Sequence, residues 1–212
     1  MDAGDKTLQR DFYLILAAWS LLVAASFAWY FWQENKGLSE TAAKEARAIL
    51  DRDTPYRHWL VEPGGAHDPP SENLPADPAR QHPHRALVTT SGMRLTLLNP
   101  AFVLREVQSR QADPMRGRSR VVSVTPLNPQ NAADVWERRG LDSLAGGNDR
   151  FEIVDSPEGA QMRAMRPFFA SPPCLACHPD FADGQLAGAI TASVPLAPYQ
   201  ELNNTELRVA AL

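Results

Sequence analysis

Cysteine is nearly missing from this chain: 212 residues contain two, Cys174 and Cys177. That scarcity excludes the disulfide-dense scaffold of a small secreted domain and leaves one compact cysteine device to explain. Blocks of like charge are also missing, and the formal net charge of -4 mixes both signs along the chain. Without a basic field there is no footprint for DNA or RNA, and no nucleic-acid partner is expected. The cysteines are not accompanied by an acid–base constellation, so the sequence does not read as an enzyme. Its length has room for one membrane anchor and one folded domain, not for a multidomain machine.

What is present begins with an apolar run. Phe12 to Trp32 carries no charged side chain, and about 20 such residues suffice for a helix to cross a bilayer core. Trp29, Tyr30 and Trp32 at one end and Tyr13 near the other suit the two interfacial layers. A cleaved signal peptide competes, because Ser26-Phe27-Ala28 resembles a cleavage site, but signal cores usually run only about 7–15 residues. A buried core helix would show a polar stripe, and none is visible here. Lys6 and Arg10 precede the run, whereas Lys36, Lys44, Arg47 and Arg52 follow it. The positive-inside count therefore leans the other way, but large translocated domains override it.

Beyond the run, Leu38, Ala42, Ala46, Ile49 and Leu50 recur at helical spacing, and Thr54-Pro55 predicts the stop. Six prolines between Pro63 and Pro83, with Gly64-Gly65, predict a looped excursion without strand or helix. Strands are expected at Ala86–Thr90 and Arg94–Leu98 around Ser91-Gly92, then at Val121–Thr125, Phe151–Asp155, Gln161–Phe168 and Gly188–Val194. Pro157-Glu158-Gly159 should close a hairpin. Asp134 with Glu137 is a capping pattern opening a short helix that ends at Gly146-Gly147. Asn99-Pro100 and Asn128-Pro129 read as structural turn starters. Hairpins with a few helices make an antiparallel α+β domain. The expected layout is a cytoplasmic tip and transmembrane anchor at 1–36 and a juxtamembrane helix at 37–54. A folded domain at 55–200 and a C-terminal helical segment at 201–212 complete it.

In Cys174-Leu175-Ala176-Cys177-His178, two residues separate the thiols. At that spacing both can add to the vinyl groups of haem, and the adjacent imidazole reaches the iron from the proximal side. Cys174 and Cys177 are thus the expected attachment points and His178 the proximal ligand, with one covalently attached haem c per chain. Such attachment takes place outside the bacterial inner membrane, which places the domain in the periplasm.

Three other chemistries use the same atoms. A thioredoxin-like dithiol should follow a strand at a helix start, a setting that Pro172-Pro173 and Pro179 fit poorly. Structural zinc would need a second pair of ligands from His67, His82 or His84, without a recognised spacing. A plain disulfide gives no role to His178. Small soluble electron carriers place the motif near the N-terminus with a methionine downstream, but residues 179–212 contain none. A helix-bundle cytochrome is excluded by the strand-like residues before Cys174.

Several blocks in order then carry a likeness. They are Arg57-His58-Trp59 with Gly64-Gly65, Leu95 to Phe102, Asn128-Pro129-Gln130-Asn131 leading to Trp136-Glu137, Met165-Arg166-Pro167, and Gly184 to Ile190 running on to Val194-Pro195-Leu196 and Pro198-Tyr199. Over His58 to Tyr199 the sequence resembles the periplasmic c-type haem domains that serve as inputs of bacterial sensor kinases, diguanylate cyclases and chemoreceptors. The resemblance implies a PAS-like antiparallel sheet domain with flanking helices behind an N-terminal transmembrane helix. It also implies a redox or gas sensory role, with an electron-transfer subunit of a membrane complex as the alternative. Partners would be the membrane, a small gas or redox partner, and either a second copy of the chain or membrane-complex subunits.

Members often carry methionine where this chain has Val103, and some use a cysteine as sixth ligand, for which no third cysteine exists here. Met165 is the distal candidate set down for the iron, beside Met93, Met115, Met162 and His58, and an open or water-ligated site is the other possibility. Each methionine is also an ordinary core filler. Trp136 and Phe168-Phe169 could line the porphyrin or simply fill the core.

Overall fold

A computed structural model describes residues 3–62, 66–71, 84–113 and 115–201. The chain divides into two compact units, Met1–Thr41 and Ala42–Leu212. Helix α1, Ala3–Val61, supplies most of the first unit and opens the second. Its apolar stretch is long enough to cross a membrane by length and composition, and its large side chains from Leu8 to Trp32 are exposed. Trp29 and Trp32 pack at 5.3 Å between ring centroids, with the Lys36 ammonium 5.4 Å from the Trp32 ring.

The expected stop at Thr54-Pro55 is overturned, because α1 runs through Pro55 to Val61. Proline removes one backbone donor and crowds the preceding turn, yet tertiary packing holds the helix on both sides of it. Ala42, Ala46, Ile49, Leu50 and Asp53 form one buried stripe before the proline, and Leu60 is buried after it. The Thr54 hydroxyl donates to the Leu50 carbonyl at 2.7 Å across the same turn.

The second unit contains β1 His67–Asp68, β2 Ala86–Val88, β3 Arg94–Leu97, α2 Pro100–Ser109, β4 Arg118–Ser123, α3 Val135–Ser143, β5 Arg150–Ser156, β6 Gly159–Phe169, α4 Pro172–Leu175 and β7 Leu186–Pro195. The antiparallel α+β expectation holds, but the strands divide into two sheets, ordered β1-β3-β2 and β4-β7-β6-β5. The excursion between Pro63 and Pro83 was expected without strands, yet His67–Asp68 pairs with Leu97 and Thr96. Residues 63–65 and 72–83 of that excursion, His82 among them, lie outside the described residues, as does the C-terminal segment after Glu201.

Local signals set most of the boundaries. Gly92, at φ 85, turns β2 into β3, and residues 157–158 turn β5 into β6. Asp134 and Glu137 form a reciprocal capping box at the start of α3, and Gly147 ends the following 3-10 turn in the left-handed region. Asn99 caps α2 and Asn128 caps a 3-10 turn, each accepting from a backbone N–H two residues on. Their structural reading is thereby confirmed.

The four-stranded sheet is covered on both faces, as alternation along β6 requires. Met165 lies in a core cluster with Trp136, Leu141 and Leu144, beneath α3. Glu137 of α3 is fully buried and receives Arg163 and the Thr191 hydroxyl, each at 3.0 Å. Even-numbered residues of β6 face α1: Arg166 meets Asp51 at 2.8 Å, and the Phe168 ring lies under the Arg57 guanidinium at 3.7 Å. A polar thread on this side joins three elements, since Ser119 donates to buried Asp53 while the Gln108 amide donates to Ser119 at 3.1 Å.

Candidate functional site

The cysteine motif occupies the loop between β6 and β7. The base of this loop is closed by Ala170 N–H on the Gln185 carbonyl at 2.7 Å and Gly184 N–H on the Ala170 carbonyl at 2.8 Å. Inside it, Phe181 is buried with Ala170 and Ala187, and Phe168 and Leu175 pack around them. The motif is therefore pinned to the sheet by its own apolar plug.

Pro172 and Pro173 stand at the first two positions of α4, where a helix has no use for the missing N–H groups. Cys174 N–H reaches the Ser171 carbonyl at 2.7 Å, and the N–H groups of Cys177 and His178 both reach the Cys174 carbonyl, at 3.2 and 3.0 Å. One tight turn thus carries both sulfurs three residues apart, a spacing that puts side chains on one side. Both cysteines are half-buried thiols.

Burial pushes the Cys174 thiol up, but hydrogen bonding to Ser171 and the charge of Arg57 outweigh it, leaving the thiol below its ordinary value. Its sulfur lies 3.3 Å from the Ser171 hydroxyl. For His178, burial and the Arg57 charge lower the ring's basicity against a weaker pull from Asp180. This favours neutral imidazole, the form that binds metals. The ring rests against Phe181 with centroids 5.7 Å apart. Burial lowers Arg57 below its ordinary value, against the opposing charge of the Cys174 thiolate.

Phe168, which shares an apolar cluster with Leu175 of the motif, also lines an open cavity of about 330 Å³. One wall is a turn of α1 carrying Thr54, Arg57 and His58; the other is residues 166–169 of β6 with Ile190 of β7. The register shift between Phe168 and Phe169 lets both consecutive rings line it. Gly188, opposite Phe168 on β7, makes room, because a Cβ there would strike the Phe168 ring and the Val122 carbonyl. Arg166 also lines the cavity and is held bidentately by Asp149 at 2.9 and 2.7 Å, which raises its pKa further.

Arg57 is the link that the sequence did not single out for a role: its charge acts on Cys174, and it covers Phe168 and shares the cavity wall with His58. Phe168 and Phe169 line the cavity, whereas Trp136 belongs to the α3 core, its indole N–H donating to Glu152 at 2.9 Å. Met165 is fully buried in that same core, on the face of β6 away from the cavity. Met162 is also buried, while Met93 and Met115 are exposed, the first in the β2–β3 turn and the second between α2 and β4. The His67 ring contacts the His84 carbonyl at 2.8 Å, beside the small sheet.

Fold and site together define a long apolar N-terminal helix that runs into an α+β domain with a cysteine–histidine turn, near a cavity lined by Phe168, Phe169, Arg57 and His58. The family model described as Tll0287-like: Tll0287 matches residues 33–195, and the chain belongs to this family. A solved structure, described as that of the cyanobacterial heme-protein Tll0287, is similar at 15% sequence identity and a TM-score of 0.44, covering 74% of this chain and 95% of that one. No curated protein matches the sequence.

Proposed function

We propose that this chain is a single-pass protein of the bacterial inner membrane whose PAS-like periplasmic domain carries one covalently attached haem c and acts as a sensory input for redox state or a small gas. The observation that carries the reading is the C-x-x-C-H turn, whose Leu175 shares an apolar cluster with Phe168, a residue that lines the neighbouring cavity together with Phe169, Ile190 and His58. The family is named for Tll0287, which is itself described as a heme-protein.

The residues present fit the group. Cys174 and Cys177 would hold it through two thioethers, and His178 would be the proximal iron ligand. Phe168, Phe169 and Ile190 supply apolar cover, which limits water and tunes an iron's potential. Bound there, haem supplies reversible one-electron chemistry and an iron that can take a gas. The cavity wall of Thr54, Arg57 and His58 belongs to α1, the helix with the membrane-length apolar stretch. A change at the iron would therefore act on that helix, the kind of bistable element a sensor needs. Exposed Trp29 and Trp32 with Lys36 nearby suit an interfacial layer and support anchoring.

The test is the native spectrum of the matured full chain in detergent, with and without carbon monoxide or nitric oxide. Sensing predicts that a gas displaces the sixth ligand and shifts the spectrum. A six-coordinate spectrum that neither gas alters would reject gas sensing and favour electron transfer.

A further inference from the structure

We infer that His58 of α1 is the sixth, distal ligand of the haem iron, making the centre bis-histidine with His178. The inference rests on the haem reading above and adds the residue that completes the iron's coordination. Leu175 of the motif shares an apolar cluster with Phe168, which lies under Arg57 and lines the cavity, so a porphyrin bonded to the motif borders the cavity's α1 wall, where His58 is the next residue. Thr54, one turn earlier, continues that face, as spacings of three and four on a helix require. His58 is exposed to the open cavity, so its ring can turn toward a cofactor without breaking a packed core.

The methionines are placed for other work. Met165 points from β6 into the α3 core and not toward α1. Met162 shares the α1 face, but Phe168 stands six positions further along the strand, which is roughly 20 Å. Met93 and Met115 stand on exposed connections and line no part of the cavity. His58 is the one candidate among these five that borders it. Because the ligand comes from α1, its displacement by a gas would free that helix from the iron.

The experiment uses the full chain co-expressed with a c-type maturation system, compared with His58→Ala and Met165→Leu. Haem content is read first from the reduced pyridine spectrum, and spin state second from optical and electron paramagnetic resonance spectra. The expected result is equal covalent haem in all three, a low-spin ferric centre in the parent and Met165→Leu, and loss of the low-spin signal in His58→Ala, restored by added imidazole. A parent that is already high-spin, or a His58→Ala protein that stays low-spin, overturns the assignment. So does loss of the low-spin signal in Met165→Leu. Absence of covalent haem from all three would instead overturn the haem reading on which it rests.

Discussion

Glu137→Ala should be among the most damaging single changes outside the cavity. Glu137 is 0% exposed, and its carboxylate accepts from Arg163 at 3.0 Å, from Thr191 at 3.0 Å and from the Asp134 N–H at 2.8 Å. Arg163 is itself only 13% exposed and keeps only Asp134 as a carboxylate partner at 2.7 Å, so alanine removes one of its two carboxylates, strands the buried Thr191 hydroxyl and takes half of the capping box. Breaking such a pair from one side costs about 3–5 kcal/mol. For a chain of this size each kcal/mol lowers Tm by roughly 2–4 °C, so a fall near ~10 °C is expected. Near-UV circular dichroism melts of the detergent-solubilised full chain would measure it, with Glu106→Ala as the control. The Glu106–Arg110 pair is exposed on the arginine side at 3.1 Å, and an exposed pair four residues apart on a helix is worth about 0.3–0.5 kcal/mol. A Tm shift in Glu137→Ala no larger than the control's would refute the reasoning.

Three further outcomes follow from particular contacts. Gly188→Ala should cost about 1–3 kcal/mol through overpacking and lower covalent haem yield, since the new methyl drives the Phe168 ring and the Val122 carbonyl out of place; unchanged melts and yield would count against this packing. Met165→Leu should cost under about 1.5 kcal/mol, whereas Met165→Ala should cost about 2–5 kcal/mol, as for any buried filler; equal costs in denaturant titrations would contradict the core assignment. Burial raises the Asp134 carboxyl, but its bonds from the Glu137 N–H and from Arg163 outweigh that and hold it below the ordinary range. The unfolded chain then takes up that proton first, so this contribution is full above about pH 4 and lost as pH falls through the folded value. In Asp134→Asn, which keeps the cap, stability measured across pH 3–6 should fall less steeply than in the parent.

What could be read from the sequence was local. The turns at Gly92 and residues 157–158, the Asp134–Glu137 box and its Gly147 end each depend on residues only a few positions apart. What could not be read was settled by partners far along the chain. Pro55 announces a helix end, but Leu50 and Leu60 are buried on either side of it and carry the helix onward. Asn99-Pro100, legible as a structural starter, begins the ten-residue α2, because proline suits a first helical position. The strand at His67–Asp68 exists because β3 offers it a partner. In the site, Cys174, Cys177 and His178 were legible as a motif, whereas the approach of Arg57 and His58 depends on how α1 meets β6, which no local spacing encodes.

The central claim is that Cys174, Cys177 and His178 hold a covalent haem, and the reduced pyridine spectrum of the full chain matured in a c-type system tests it most directly. The account predicts one haem per chain that survives denaturation and acid extraction, with a two-thioether spectrum, and its loss in Cys174→Ser/Cys177→Ser. A chain that carries no haem under these conditions, or releases it all to acid extraction, would contradict the account.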